Sequence, residues 1–387
     1  MKHPPSSTAM KISELKPWLR HSFEMTKKRA AEYAAKAFTG KRKRYDCFIA
    51  GAPGVGKSDV VMQAAAEAGC EVMVTIAVTA SPTDARGFPA PNKDRTAADF
   101  LPYGDIARAM AVKAGEVLVW FLDDFGQAKD AVQASYMQLV LTRQINGFTL
   151  PEGVVFVLAT NRREDRAAVR GILEPMKSRP LTILELEPDM EEWCQYMLNN
   201  RPATDHLAAL VGFMRYLPKN FNAFIPSADM VNSPIPRTWD NSLTILEDYS
   251  GAAGITQEMI EKGIHGAVGK DAANLFASFR RLQKDLPDIP AMISDPKAAA
   301  AFIDCEPTPS VMYAVVTAMG MRATAQNFSG VGRFAELLHE AGRDEYAACL
   351  LRDVMENEAI KLTPTFAKIV TGELASLVGI STNQPEN

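Results

Sequence analysis

The chain has 387 residues, 47% hydrophobic and 23% charged, with 42 Lys and Arg against 46 Asp and Glu for a formal net charge of -4. This balance excludes an intrinsically disordered polymer and supplies no global positive field to draw the chain onto nucleic acid or an anionic membrane. Nor is there a run of eighteen apolar residues or, at the start, the apolar stretch of a signal peptide, so a cytoplasmic location is expected, in a bacterium or in the host of a phage.

Residues 1 to about 15 read as a loose leader rich in Pro and Ser, and the letters from Pro17 to Phe38 predict a helix that stops at Gly40. The cations Lys41, Arg42, Lys43 and Arg44 then read as a solvated face ahead of a buried strand, with phosphate contact as the alternative. Five apolar strands follow, at Tyr45 to Ala50, Glu71 to Val78, Val117 to Leu122, Val154 to Ala159 and Leu181 to Leu186, with a helix from Lys57 to Ala68 after the first. Runs of Val, Ile, Leu and Phe separated by crossovers predict a mostly parallel sheet covered on both faces, whose ligands bind beyond the carboxyl ends of its strands.

Two excursions interrupt the alternation. Residues 81–104, marked by Pro and Gly, carry Phe88, Phe100 and Tyr103, and a second runs from Arg143 to Pro151. After Glu187 the pattern turns helical: Met190, Trp193 and Met197 share one face, and Trp239, Leu243 and Leu246 form a core stripe. A connector begins near Asp285, helical sequence continues to Gly379, and the last eight residues look frayed.

The chemistry concentrates in Gly51, Ala52, Pro53, Gly54, Val55, Gly56, Lys57 and Ser58, a complete GxxxxGK[ST] between a strand and a helix. Its glycines let backbone amides curl around phosphate oxygens, and the helix N-terminus adds a favourable field. In that setting Lys57 would bridge the terminal phosphates of a nucleoside triphosphate, expected to be ATP, and Ser58 would ligate Mg2+. The metal also needs a carboxylate at a neighbouring strand tip. Asp123 and Asp124, ending VLVWFLDD, supply it: Asp123 for the metal and Asp124 for the attacking water. Asn161, ending LATN, would bond the γ-phosphate or that water, or else close an Asx-turn. Five cysteines (Cys47, Cys70, Cys194, Cys305 and Cys349) have no metal spacing, and no histidine lies in an H-E-x-x-H pattern.

Taken in order, GAPGVGKS, FLDDFGQA, LATNRRED, MKSR and PRTW resemble the MoxR-like branch of the AAA+ ATPases, the bacterial and phage group often encoded beside a von Willebrand factor A-type protein. SPTDARGFP, DFLP and AVQASYMQLVLTRQINGFTLP agree as well, and the resemblance is firm over about residues 45 to 250. It implies a P-loop NTPase (AAA+) α/β fold with a parallel sheet core, a small helical lid and a further helical C-terminal region. The expected division is 1–44 leader and helix, 45–187 ATPase core, 188–285 lid, 286–379 C-terminal helices and 380–387 disordered tail. It also implies that Gly51 to Ser58 are Walker A, Asp123 and Asp124 Walker B, Asn161 sensor 1, Arg179 the arginine finger and Arg237 sensor 2. Rival fingers are Arg162, Arg163, Arg166 and Arg170.

Such proteins form rings, generally hexamers, in which Arg179 would complete the neighbour's site. A trans arginine is worth about 10^3 to 10^5 in rate, or roughly 4 to 7 kcal/mol. The second Walker B acid, usually Glu in the family, is the shorter Asp124 here, which implies slow hydrolysis unless the backbone or a water restores the reach. The expected function is ATP hydrolysis by a ring that remodels or activates a protein partner, one with a von Willebrand factor A-type domain by the resemblance. The alternatives are a nucleic-acid-directed motor or loader of phage type, and a scaffold that uses ATP to assemble. No membrane partner is expected.

Overall fold

The computed structural model describes residues 7–35, 44–162, 165, 170–227, 229–282 and 286–378. Lys41, Arg42, Lys43, Arg163, Arg166, the predicted helix end at Phe38 to Gly40 and the tail from 380 lie outside them. The chain forms two compact units, one built mainly of residues 1–189 and the other mainly of the residues from Met190 on.

In the first unit the strands are β1 (Ala9–Met10), β2 (Cys47–Ala50), β3 (Glu71–Ile76), β4 (Phe88–Pro91), β5 (Ala98–Leu101), β6 (Leu118–Asp123), β7 (Gln144–Ile145), β8 (Phe148–Thr149), β9 (Val154–Thr160) and β10 (Thr182–Leu186). The helices are α1 (Ile12–Ala34), α2 (Lys57–Glu67), α3 (Pro82–Arg86), α4 (Gly104–Met110), α5 (Asp130–Thr142) and α6 (Glu174–Lys177). Six strands form one sheet in the order β1-β10-β2-β9-β6-β3, and every neighbouring pair is parallel.

Side chains alternate across this sheet. Ile49, Val119, Phe121, Val155 and Val157 meet Leu15, Leu19 and Phe23 of α1 and Val60, Val61 and Ala64 of α2. Phe48, Trp120, Leu122, Phe156 and Leu158 meet Val132, Tyr136 and Leu139 of α5 on the opposite face. Burial on both faces explains why β2, β6 and β9 read as continuous apolar runs, whereas β3 and β10 bury alternate residues and leave Val74, Ile76 and Ile183 exposed. This is the α/β P-loop NTPase fold with a helical C-terminal region that the sequence predicts.

The leader is the main correction. Thr8 to Met10 are not loose: Glu185 N–H donates to Thr8 O (2.9 Å) and Glu187 N–H to Met10 O (3.0 Å), which adds β1 to the edge of the sheet. Helix α1 starts at Ile12, with Pro17 inside it rather than at its head. Glu14 accepts the Lys11 N–H at 2.9 Å, and burial of Leu15, Leu19 and Phe23 offsets the backbone hydrogen bond that Pro17 cannot make.

Both excursions fold into antiparallel ribbons. In the first, Pro89 faces Phe100 and Pro91 faces Ala98, so neither proline is asked to donate across the ladder. The second turns at Asn146 and Gly147, whose φ values of 47° and 84° suit the tight hairpin that an Asn-Gly pair favours. The ribbons touch: Asn146 Nδ2 donates to Arg86 O at 2.8 Å, and Gly87, at φ 82°, lies under Phe148. A Cβ at Gly87 would come within 2.8 Å of the Phe148 ring and 2.7 Å of Leu101 O, so only glycine fits this crossing.

The second unit is helical: α7 (Met190–Asn200), α8 (Asp205–Tyr216), α9 (Pro236–Tyr249), α10 (Gln257–Val268), α11 (Lys270–Leu282), α12 (Ile289–Ser294), α13 (Pro296–Asp304), α14 (Pro309–Met321), α15 (Phe328–Glu340), α16 (Asp344–Val354), α17 (Glu358–Lys361) and α18 (Pro364–Thr371). Trp239, Leu243 and Leu246 pack with Phe213 and Phe276 in one cluster, while Phe328, Phe334 and Leu350 pack in another. Helix α14 belongs to both: Ala314 lies in the first cluster, and Val315, Val316 and Met319 lie in the second.

A buried ionic knot crosses the same seam. Arg215 of α8 donates to both carboxylate oxygens of Asp353 on α16 (2.8 and 2.6 Å), to Thr317 Oγ1 of α14 (3.3 Å) and to Glu191 of α7. Gln195 Nε2 donates to Asp353 as well, at 2.8 Å. Burial pushes the Glu191 carboxyl up, but the charge and hydrogen bonds of Arg215 outweigh it and hold the group below its ordinary 4.5. Its contribution to stability is therefore complete above that value and is lost as pH falls through the lower folded one. Removing one partner of a buried pair strands the other. Asp353→Ala is accordingly expected to cost about 3 to 5 kcal/mol of unfolding free energy, measured by urea titration at neutral pH, with a smaller difference from wild type for the joint replacement Arg215→Met, Asp353→Leu.

Candidate active site

The loop 51–56 leaves β2 and enters α2 at Lys57, and Gly51 N–H donates to Thr160 O (3.2 Å), which moors the loop to the end of β9. Gly54 and Gly56 have φ of 70° and 95°, the left-handed conformation that lets the chain curl and present amides at the helix N-terminus. Lys57 is 7% exposed, and its Nζ donates to Gly51 O (2.9 Å), Ala52 O (2.9 Å) and Asn161 Oδ1 (2.7 Å).

Strand β9 lies between β2 and β6, so the tips of all three meet at one edge of the sheet. Ser58 Oγ donates to Asp123 Oδ2 at 2.7 Å, and the Asp124 N–H donates to Asp123 Oδ1 at 2.9 Å. The structure thus brings together Gly51, Ala52, Lys57, Ser58, Asp123 and Asn161, with Pro53, Gly54, Val55 and Gly56 closing the loop between them. A hydroxyl against a half-buried carboxylate is the hard-oxygen pair that Mg2+ takes, and curled amides beside an ammonium suit a polyphosphate; the residues fit both groups.

Asp124 opens a short 3-10 turn, Phe125–Gln127, in the left-handed conformation at φ 53° and ψ 33°. Asp and Asn tolerate that region better than other side chains bearing a Cβ. The shorter acid at this position therefore suits its backbone.

The arginines separate by their partners. Arg162 donates to Asp165 (3.1 and 3.2 Å) and Glu185 (3.0 Å), so this rival finger is engaged within its own chain. Arg179 follows α6 and donates through Nη1 to Pro175 O, and its Nε is buried without a partner. Arg170 is exposed, with its N–H on Gly126 O at 3.0 Å. Arg237 is the second residue of α9 in the helical unit and is exposed.

One residue that the sequence reading passed over is Gln133. It is fully buried on α5, where Nε2 donates to Ala128 O (3.2 Å) and Gly171 O (2.9 Å) while Oε1 accepts the Leu173 N–H (3.1 Å). Its signal was an amide on the inward stripe of a helix, in line with Tyr136 and Val140.

No protein-family model matches the chain, and no curated protein does. Among solved structures it is similar to a point mutant of Thermotoga maritima RuvB, 17% identical over 86% of this chain and 91% of that one, with a TM-score of 0.40. It is also similar to the structure described as the Thermotoga maritima RuvB Holliday junction branch migration motor, 18% identical over 84% of this chain and 92% of that one, with a TM-score of 0.35. Likeness of this degree carries no argument about activity or partner.

The left-handed turn after β6 can be tested by itself. Asp124→Asn is expected to unfold at the wild-type urea midpoint, whereas β-branched Asp124→Val loses roughly 1 to 2 kcal/mol.

Proposed function

We propose that the chain hydrolyses ATP as a MoxR-like AAA+ ring, most simply a hexamer, and uses that hydrolysis to remodel or activate a protein partner. The observation that carries the reading is the convergence of Lys57 and Asn161 with the Ser58–Asp123 pair on one strand edge beside a curled loop. Lys57 would exchange its hold on the Gly51 and Ala52 carbonyls for the terminal phosphates, and Asn161, already bonded to Lys57, would align the γ-phosphate or the attacking water. Asp124 would take the proton of that water as its oxygen bonds to the γ-phosphorus and the bond to the ADP oxygen breaks, giving ADP and phosphate. Mg2+, held through Ser58 and Asp123, would neutralise charge on the phosphate oxygens. Arg179 of a neighbouring subunit would stabilise the departing phosphoryl group, and Arg237 would report nucleotide from the helical lid.

The partner class, a protein with a von Willebrand factor A-type domain, comes from the resemblance. A protein-facing surface is supported by the apolar side chains that the first ribbon leaves in solvent, Phe88 (58% exposed) and Leu101 (53%), with Phe100 and Tyr103 beside them.

Two measurements test the reading. Lys57→Ala is expected to weaken binding of Mg2+ and ATP by at least about tenfold in calorimetry, the loss of a charged hydrogen bond, while Arg179→Ala leaves affinity intact and cuts turnover by about 10^3 or more. Wild-type affinity in Lys57→Ala would overturn nucleotide binding at this loop. Turnover is then measured alone, with single-stranded and duplex DNA, and with a co-encoded von Willebrand factor A-type protein. Stimulation by DNA alone would replace the protein remodeller with the nucleic-acid motor.

A further inference from the structure

The turn that follows Asp124 and the segment that leads to Arg179 are hydrogen-bonded to each other. Gly126 O accepts both the Arg170 N–H (3.0 Å) and the Gly171 N–H (3.3 Å). Gln133 completes the link, with one amide hydrogen bond to Ala128 O at the end of the turn and two to Gly171 O and Leu173 N–H in the segment. Leu173 is the N-cap of α6, after which Arg179 follows, its N–H bonded to Met176 O at 3.3 Å.

An apolar side chain at this buried position would take away the hydrogen bonds that Gln133 makes with the Ala128 and Gly171 carbonyls and the Leu173 N–H. An amide is costly there unless every hydrogen bond is made, and such a group specifies geometry in return. We propose that Gln133 is a positioning residue which couples the two halves of the catalytic apparatus: it fixes the Asp124 turn, acting on the subunit's own nucleotide, against the segment presenting Arg179 to the next subunit. The state of one site would then set how the arginine reaches its neighbour, and firing could pass around the ring. This inference rests on the assignment of Arg179 as a trans finger.

The test uses full-length chains and mixed rings. Gln133→Met is expected to lower kcat by about 10- to 100-fold with KM for ATP unchanged, the effect of a finger displaced by about 1 Å. Its subunits are then mixed with Asp123→Asn subunits, which have dead sites and intact arginines. Turnover should rise well above the sum of the two parents, and it should not rise with the double variant Asp123→Asn, Arg179→Ala. Arg179→Ala mixed with Asp123→Asn is the control.

If the control recovers and Gln133→Met does not, Gln133 serves only its own site or the fold, and the inference falls. If the control itself fails, the trans assignment of Arg179 falls, and the inference with it. Should Gln133→Met not fold, the isosteric Gln133→Glu undergoes the same mixing test. That variant is expected to approach wild type as pH is lowered, because a neutral carboxyl can donate to one of the two carbonyls. If neither variant folds, the amide is structural and the coupling role is refuted.

Discussion

A cation out of water is the constraint around which the first unit is arranged. An ammonium costs several kcal/mol to bury unless hydrogen bonds replace its hydration. Lys57 obtains them from two carbonyls of its own loop and from Asn161, so the loop, the first turn of α2 and the end of β9 are in register wherever that side chain is stable. The same arrangement holds positive charge ready at the head of a helix, where an anion is favoured.

That register is possible because β9 is one of the two central strands. All seven of its residues are buried, and it lies between the strand that launches the loop and the strand that ends in Asp123. Parallel pairing points every strand tip the same way, so side chains far apart in the chain, such as Ser58 and Asp123, come within hydrogen-bonding reach. The helical unit is ordered on a different principle. Around Arg215, a buried guanidinium–carboxylate pair with Asp353 lies between the two apolar clusters and reaches the surface through Glu191 and Arg352.

Local signals made much of this legible in the sequence. Gly51 to Ser58, Asp123 and Asn161 each stand where an apolar strand gives way to polar or glycine residues, and burial on both faces made the sheet read as parallel. The start of α1 is hidden in the sequence because Pro17 looks like the head of a helix, whereas the apolar stripe of Leu15, Leu19 and Phe23 overrides it. Strand β1 is two residues long and exists only through pairing with β10, so nothing local announces it. Gln133 and its partners are up to 40 positions apart, and Arg215 and Asp353 are 138 apart. Contacts of that range leave no periodic trace, and a polar residue on an inward stripe reads at first as an interruption of the core.

The double membership of α14 bears on how the chain can be divided. A fragment ending at residue 285 would retain Arg215 and Glu191 but discard Thr317 and Asp353, and it would strip Ala314 from the packing around Phe213. The residues beyond 285 are therefore less an appendage than part of the scaffold on which α8 rests. A cut at the connector takes the bidentate carboxylate from the Arg215 guanidinium, so evolution or design that swaps the tail has either to supply a new acceptor there or to replace Arg215 with an apolar residue.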